Sequence, residues 1–301
     1  MTNPLNYIEK YPDRTKQIIG IDRQQWLSLL KIVKDEEERL QLLREQTKIR
    51  INKKGGGRPK ILNQDEEICL CIYYLRHLPT FEILGMQFGI SKTEANDTFN
   101  YWLKIFRKIL PCSILEQSIK LSSNRQMGEE SLTEYELIVD SWEQARERPG
   151  DNQIQKEYYS GKKKQHTFKG QVIVLPLGKD IVDVEVGKKG KASDINLFRN
   201  QQKKFEQNQQ FAGDKGYQGG QNIKTPHKKP RNKELIQSKK DENKKSASNR
   251  IYVEHVIRLI KIFRAARERF SMNDQKYEQI ILTICGLVRL RIGSLILPTL
   301  S

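Results

Sequence analysis

The chain reads as an α/β protein preceded by an all-α region. Three observations predict this. Between residues 22 and 109 apolar residues recur at close to helical spacing. Between 135 and 214 they gather into short apolar runs of β type, bounded by Gly-, Lys- and Asn-rich turns. After about residue 249 the helical spacing returns. With 301 residues, 37% of them hydrophobic and 30% charged, the chain is long enough for two ordinary domains with a buried core. The expected division is a helical arm and basic linker over 1–60, a helical module over 61–130 and an α/β domain over 131–301.

The first helix is DRQQWLSLLKIVKDEEERLQLLREQ, residues 22–46, with Asp22 as N-cap. Trp26, Leu29, Leu30, Val33, Leu40 and Leu43 fall close to helical spacing, but Glu37 breaks the seam. That favours packing onto the following helices over a coiled-coil arm. The connector INKKGGGRPKILNQ follows. Its Gly-Arg-Pro core is simplest as a flexible linker, although Arg58 in an extended segment also suits a narrow minor groove.

Residues 64–109 predict helices, and TFEILGMQFGISKTEANDTFNYWLKIF has a helix-turn-helix pattern. Phe81, Leu84 and Met86 belong to its first helix, and Gly89 supplies the positive φ of the turn. Ser91 caps the second helix, with Glu94 placed to complete a capping box. Ala95, Phe99, Trp102 and Phe106 would be buried, leaving Lys92, Thr93, Asn96 and Asn100 outward as groove-facing candidates. An ordinary helical hairpin has the same spacing.

From 135 the pattern changes. YELIVDS, QHTFKGQVIVLPL and DIVDVEVG are strand candidates, the last two joined by a Leu-Gly-Lys turn as a hairpin. Asp183 and Glu185 alternate on the third run and are expected to face solvent. DINLFRNQQKKFEQN, 194–208, reads as a helix capped by Asp194, and QQFAGD as a fourth strand. A Gly- and Lys-rich excursion leads to helices over about 249–270 and 276–291. The order is β-β-β-α-β-(short β)-α.

The balance of 54 Lys+Arg against 37 Asp+Glu gives a net charge of +17. Such a field draws polyanions, with nucleic acid ahead of a membrane surface because no basic amphipathic anchor stands out. No apolar run reaches the roughly 18–20 residues of a membrane span. The N-terminus has no secretory apolar segment, and Cys69, Cys71, Cys112 and Cys285 lack zinc-site spacing. Free thiols in a soluble cytoplasmic protein are expected.

Two acids end apolar strands: Asp140 in ELIVDS and Asp214 in FAGDKGYQG. Strand ends place side chains at the rim of a sheet, where α/β folds build their sites. Tyr217 would offer an aromatic platform beside them. A third acid on an adjoining helix would complete an oxygen cage suited to Mg²⁺ or Mn²⁺. Glu254 is the candidate, in a region where Lys215 to Arg250 holds eleven Lys/Arg against three acids. Arg250, Glu254 and Lys261 share roughly one helix face. Spacing alone serves the simpler reading slightly better, that Glu254 is an ion-pair partner of Arg250 or Arg258.

VDSWEQARERP, YYSGKKKQHTFKGQVIV, GDKGYQG and RIYVEHVIRLIK, in this order, resemble the DDE transposases of small bacterial insertion sequences. The resemblance covers roughly residues 64–291 and implies a helix-turn-helix followed by an RNase H-like catalytic domain, a mixed sheet flanked by helices. It implies that Asp140, Asp214 and Glu254 are catalytic and hold two Mg²⁺ or Mn²⁺ ions. The family's R-x-x-x-E-x-x-x-x-x-x-K pattern falls on Arg250, Glu254 and Lys261, with the bases on DNA phosphate. The run Lys162, Lys163, Lys164 could be a solvated hairpin edge, but in a DNA enzyme it is better read as tracking the backbone, with the Tyr217 platform also facing DNA. Asp194 matches a further acid common in the family, read here as a helix cap. The implied reaction cleaves the terminal inverted repeats of an element and joins 3′-OH ends to target DNA, with a homodimer pairing the two ends. Two positions depart from the family pattern: Ser141-Trp142 stands where Gly-Thr is usual, and Arg289 where Asn is usual. A DNA-binding protein or repressor derived from such an element, or a structure-selective nuclease, are the alternatives.

Overall fold

A computed structural model describes residues 3–47, 59–120, 132–230, 234–295 and 297, in two compact units. One comprises Met1–Leu110, Phe263–Ala265 and Leu295–Ser301; the other Pro111–Ile262 and Ala266–Ser294. Arg58 and the glycines before it lie outside the described residues.

The first unit is helical: α1 (Pro4–Lys10), α2 (Thr15–Ile19), α3 (Arg23–Thr47), α4 (Gln64–His77), α5 (Phe81–Phe88) and α6 (Lys92–Ile109). α3 starts where its sequence predicts, with the Asp22 carboxylate accepting the Gln25 N–H at 2.9 Å. Trp26, Leu29, Leu30 and Val33 are buried, whereas Leu43 is exposed. Glu37 is itself buried and accepts the Tyr101 hydroxyl at 2.8 Å. The residue that breaks the seam is thus a contact onto α6.

Asn63 and Glu66 form a full capping box at the start of α4. Buried Glu67 then accepts the Trp102 indole N–H at 3.0 Å, fastening α4 to α6. Gly89 turns the chain between α5 and α6 at φ 71°, a left-handed conformation that glycine adopts without a Cβ penalty. Ser91 Oγ accepts the Glu94 N–H at 3.2 Å and caps α6. Ala95, Phe99, Trp102 and Phe106 are all buried, as their spacing predicts.

The second unit contains α7 (Ile114–Lys120), β1 (Leu137–Ala145), α8 (Asn152–Tyr158), β2 (Tyr159–Ser160) and β3 (Gln165–Val174). These are followed by β4 (Ile181–Lys189), α9 (Asp194–Gln202), β5 (Phe211–Ala212), β6 (Ile223–Lys224), α10 (Gln237–Lys261) and α11 (Asp274–Ile292). The sheet is mixed. β1, β3 and β4 form an antiparallel meander, β5 and β6 add parallel strands beside β1, and β2 pairs with the start of β3.

Successive strand residues point to opposite faces, so each face takes its own helices. Val139 and Ile173 join Phe198 of α9, Phe211 and Tyr217 in one core. On the other face Phe168 stacks on Tyr277 of α11 at a centroid distance of 4.0 Å. This is the mixed sheet flanked by helices that the sequence predicts. All four cysteines are buried free thiols, and no helix among the described residues is long and apolar enough to cross a membrane.

Three expectations need correction. The helix from 194 stops at Gln202, not 208. α10 runs from Gln237 to Lys261 instead of 249–270, because its first three turns are polar and largely exposed and carry no apolar periodicity. Asp183 does not face solvent: it is buried and pairs with Lys204 at 2.8 Å. Burial raises its carboxyl above the ordinary value, with Lys204 opposing.

Candidate active site

The parallel pairing of β1 with β5 ends at Ile138 opposite Ala212. Two residues beyond on each segment stand Asp140 and Asp214, so the register delivers two carboxylates to the same end of the pair. Asp214 opens a tight turn in which its Oδ1 accepts the Gly216 N–H at 2.7 Å. α10 supplies the third acid. It buries Val253, Val256, Ile257 and Ile260, which leaves Glu254 and Lys261 at the margin of the apolar face.

Asp140, Glu254, Ile257 and Lys261 line one cleft of about 570 Å³, together with Lys162 and Lys163 from the β2–β3 turn and Lys169 from β3. The electrostatics show the same convergence. Burial pushes the Asp140 carboxyl from 3.8 up to about 6, the Ser141 N–H holds it down, and Asp214 pushes it up. Arg250 and Glu254 act on it in opposite senses. Burial lowers the Lys261 ammonium below the ordinary lysine value; Lys163 adds to this and Asp140 opposes it.

Glu254 faces a competing partner. Arg250 Nη2 donates to its Oε1 at 3.3 Å, so the one-turn ion pair allowed by the spacing is present. Among the described residues no three acids, histidines or cysteines are already gathered closely enough to hold an ion. The donor set nonetheless fits Mg²⁺ or Mn²⁺: hard carboxylate oxygens, with the Asp140 carboxyl raised by burial and further by Asp214 and Glu254. A cation there would relieve that repulsion, and Glu254 could join once freed from Arg250.

The two departures from the family pattern have physical places. Asp140 and Trp142 leave β1 on one face and Ser141 on the other. The Trp142 indole lies flat over Gly170 of β3, where any Cβ would overlap the ring. Ser141 donates its hydroxyl to Asp194 Oδ1 at 2.7 Å. Arg289 is buried and forks onto both oxygens of Asp180, at 2.7 and 2.8 Å.

Two sequence-predicted roles change. Tyr217 is fully buried, with its hydroxyl 3.2 Å from Gln171, so its ring is core and cannot stack on a base. Asp194 is the first residue of α9 after the Ser193 N-cap, and its carboxylate bonds Ser141 and Lys169 instead of capping the helix. Lys164 is exposed in the β2–β3 turn but is not among the cleft-lining residues. Lys92 and Thr93 are exposed on the first turn of α6 in the other unit, while Asn96 and Asn100 are half-buried and hydrogen-bonded to each other at 3.1 Å. Sequence reasoning missed Lys169; its signal was a lone cation inside the run TFKGQVIV, on a strand covered on both faces.

Residues 139–289, half of the chain, match the family model described as the DDE superfamily endonuclease. The chain belongs to that family. Residues 60–112 match the helix-turn-helix of DDE superfamily endonucleases, spanning α4 to α6. A curated relative, a probable transposase for insertion sequence element IS702 from Microchaete diplosiphon, is 29% identical over 266 residues, 87% of this chain and 88% of the relative. Two solved structures are also similar, both at 13% identity: a Mos1 transposase paired-end complex with the left transposon end, and a pre-cleavage Mos1 transpososome. The first covers 87% of each chain with a TM-score of 0.20, the second 85% of this chain and 86% of the other with 0.18. At those scores the likeness carries no weight. The family match and the sheet order together make the second unit an RNase H-like DDE domain.

Proposed function

We propose that the chain is an insertion-sequence transposase that binds the terminal inverted repeats of its element, cuts them and transfers the 3′-OH ends to target DNA. The observation that carries this is one basic cleft where Asp140, Glu254 and Lys261 meet, with Asp214 acting on Asp140. Residues 61–130, apart from α7, which packs within the second unit, are the DNA-reading part, 131–301 the catalytic part and 1–60 the arm.

Asp140, Asp214 and Glu254 would hold two divalent ions, Mg²⁺ or Mn²⁺. When bound, these activate water or a 3′-OH and stabilise the leaving oxygen in phosphodiester displacement. Asp140 and Asp214 are fixed by the sheet and the Gly216 turn, whereas Glu254 must exchange Arg250 for the ions. A DNA phosphate is the natural new partner for Arg250, since guanidinium recognises phosphate as readily as carboxylate. Lys162, Lys163 and Lys261 would neutralise backbone phosphates along the cleft, and Lys92, Thr93, Asn96 and Asn100 of α6 would read the groove. A homodimer would bring the two ends together. The Trp142 indole is buried against Gly170, and the residue lines the acid cleft beside Asp140.

The test is cleavage of a labelled fragment from the end of the element beside a fragment of scrambled sequence, in Mg²⁺. Cutting confined to the terminal fragment supports the transposase. Equal cutting of both points to a structure-selective nuclease, and binding of the terminal fragment without cutting in either Mg²⁺ or Mn²⁺ points to a DNA-binding relic.

A further inference from the structure

A second polar chain runs behind the acids, and the proposed reaction leaves it without a task. Lys169 of β3 is only 7% exposed. Its ammonium donates to the Ala192 carbonyl at 2.6 Å and to Asp194 Oδ1 at 3.0 Å, and lies 4.0 Å from Glu143 Oε1. Glu143 in turn accepts the Thr167 hydroxyl at 2.9 Å. Asp194 Oδ1 also accepts the hydroxyl of Ser141, the residue directly after Asp140.

The other oxygen of Asp194 lies near the turn of the second acid: a Cβ added to Gly216 would fall 3.3 Å from Asp194 Oδ2 and 2.9 Å from Asp214 Oδ1, so a side chain there would press on both carboxylates. Asp194 is therefore bonded to the residue after Asp140 and borders the turn that holds Asp214. Burying the lysine costs several kcal/mol of hydration, and a well-packed apolar residue would serve stability as well; its partner Asp194 keeps 27% of its side chain exposed. The pair borders the acid cleft: Glu143, Lys169, Ala192 and Asp194 all line it.

Resting on the three-acid reading above, we infer that Lys169 and Asp194 are positioning residues. Their ion pair, acting through Ser141 and Gly216, sets the separation of Asp140 and Asp214 at which a divalent cation binds. Lys169 also neutralises Asp194, so its charge does not add to the acids it positions.

The experiment is Mn²⁺ binding to the full chain without DNA, read from the electron paramagnetic resonance of free Mn²⁺ well below the melting temperature. Asp194→Asn and Lys169→Met are expected to weaken binding by ~10–100-fold, the usual cost of losing an outer partner of a metal ligand. Ser141→Ala should weaken it in the same direction, and Ser141→Thr, which keeps the hydroxyl, should restore it. A pair that merely supports the fold would lower the melting temperature of Lys169→Met yet leave the affinity of folded Asp194→Asn and Ser141→Ala unchanged; that result overturns the inference. Asp140→Asn separates the two layers of the argument. If the parent binds no Mn²⁺ even when a DNA fragment is added to engage Arg250, or Asp140→Asn binds as well as the parent, the three-acid reading fails and takes this inference with it. If Asp140→Asn loses binding while Asp194→Asn and Ser141→Ala match the parent, the positioning role alone is wrong.

Discussion

Asp140 is the residue on which the electrostatics of the site converge. Burial and the neighbouring acids lift its carboxyl from 3.8 to about 6 in the folded chain. A carboxyl raised on folding stabilises the fold while protonated: the contribution is full below about pH 4 and lost as pH rises through about 6. Asp140→Asn, which has no charge to bury, should therefore stabilise the metal-free protein by ~2–3 kcal/mol at pH 8 and by almost nothing at pH 4. Urea denaturation at the two pH values measures this, and a pH-independent difference would show that the carboxylate is not under strain. Asp140 and Asp214 were legible as candidates because each ends an apolar run, although β1 continues past Asp140 to Ala145 and only its pairing with β5 stops short of it. The role of Tyr217 was not, because whether an aromatic after a Gly-rich turn points inward depends on the Phe198 and Phe211 rings it meets. Lys169 and Asp194 were illegible as a pair for the same reason: they lie 25 residues apart, and only the sheet brings them together.

At the scale of elements, the legible parts are those whose signals are local. α6 was readable from its Ser91 cap and from Ala95, Phe99, Trp102 and Phe106, since both signals repeat within a few turns. The β3–β4 hairpin was readable from two apolar runs and a short turn. The first half of α10 was not, because a solvated helix of Lys, Asn and Ser buries nothing and so shows no period. α11 carries the least expected device. Arg289 binds Asp180 ahead of β4, the carbonyls of Pro111 and Ser113, and Gln117 of α7, tying three segments with one guanidinium. Arg289→Met leaves Asp180 buried without its cation and should cost ~3–5 kcal/mol in thermal or urea unfolding. A loss below ~1 kcal/mol would mean that water or Ser294, whose hydroxyl donates to Asp180 at 2.8 Å, replaces it.

For the whole molecule, the net charge of +17 states only that a polyanion is welcome. The chain belongs to the DDE superfamily endonucleases, and the function proposed for it rests on a sheet that sets two acids side by side and a helix that brings a third. Glu254 is an ion-pair partner of Arg250, and the proposed function asks it to exchange that partner for the ions. The direct test compares the parent with Glu254→Gln on a labelled element-end fragment in Mg²⁺, with binding measured alongside cleavage. The account predicts that both proteins bind the fragment and that only the parent cuts it, with a loss of at least ~100-fold in the variant. Cutting by Glu254→Gln at the parent's rate would contradict it and leave Glu254 as no more than the partner of Arg250.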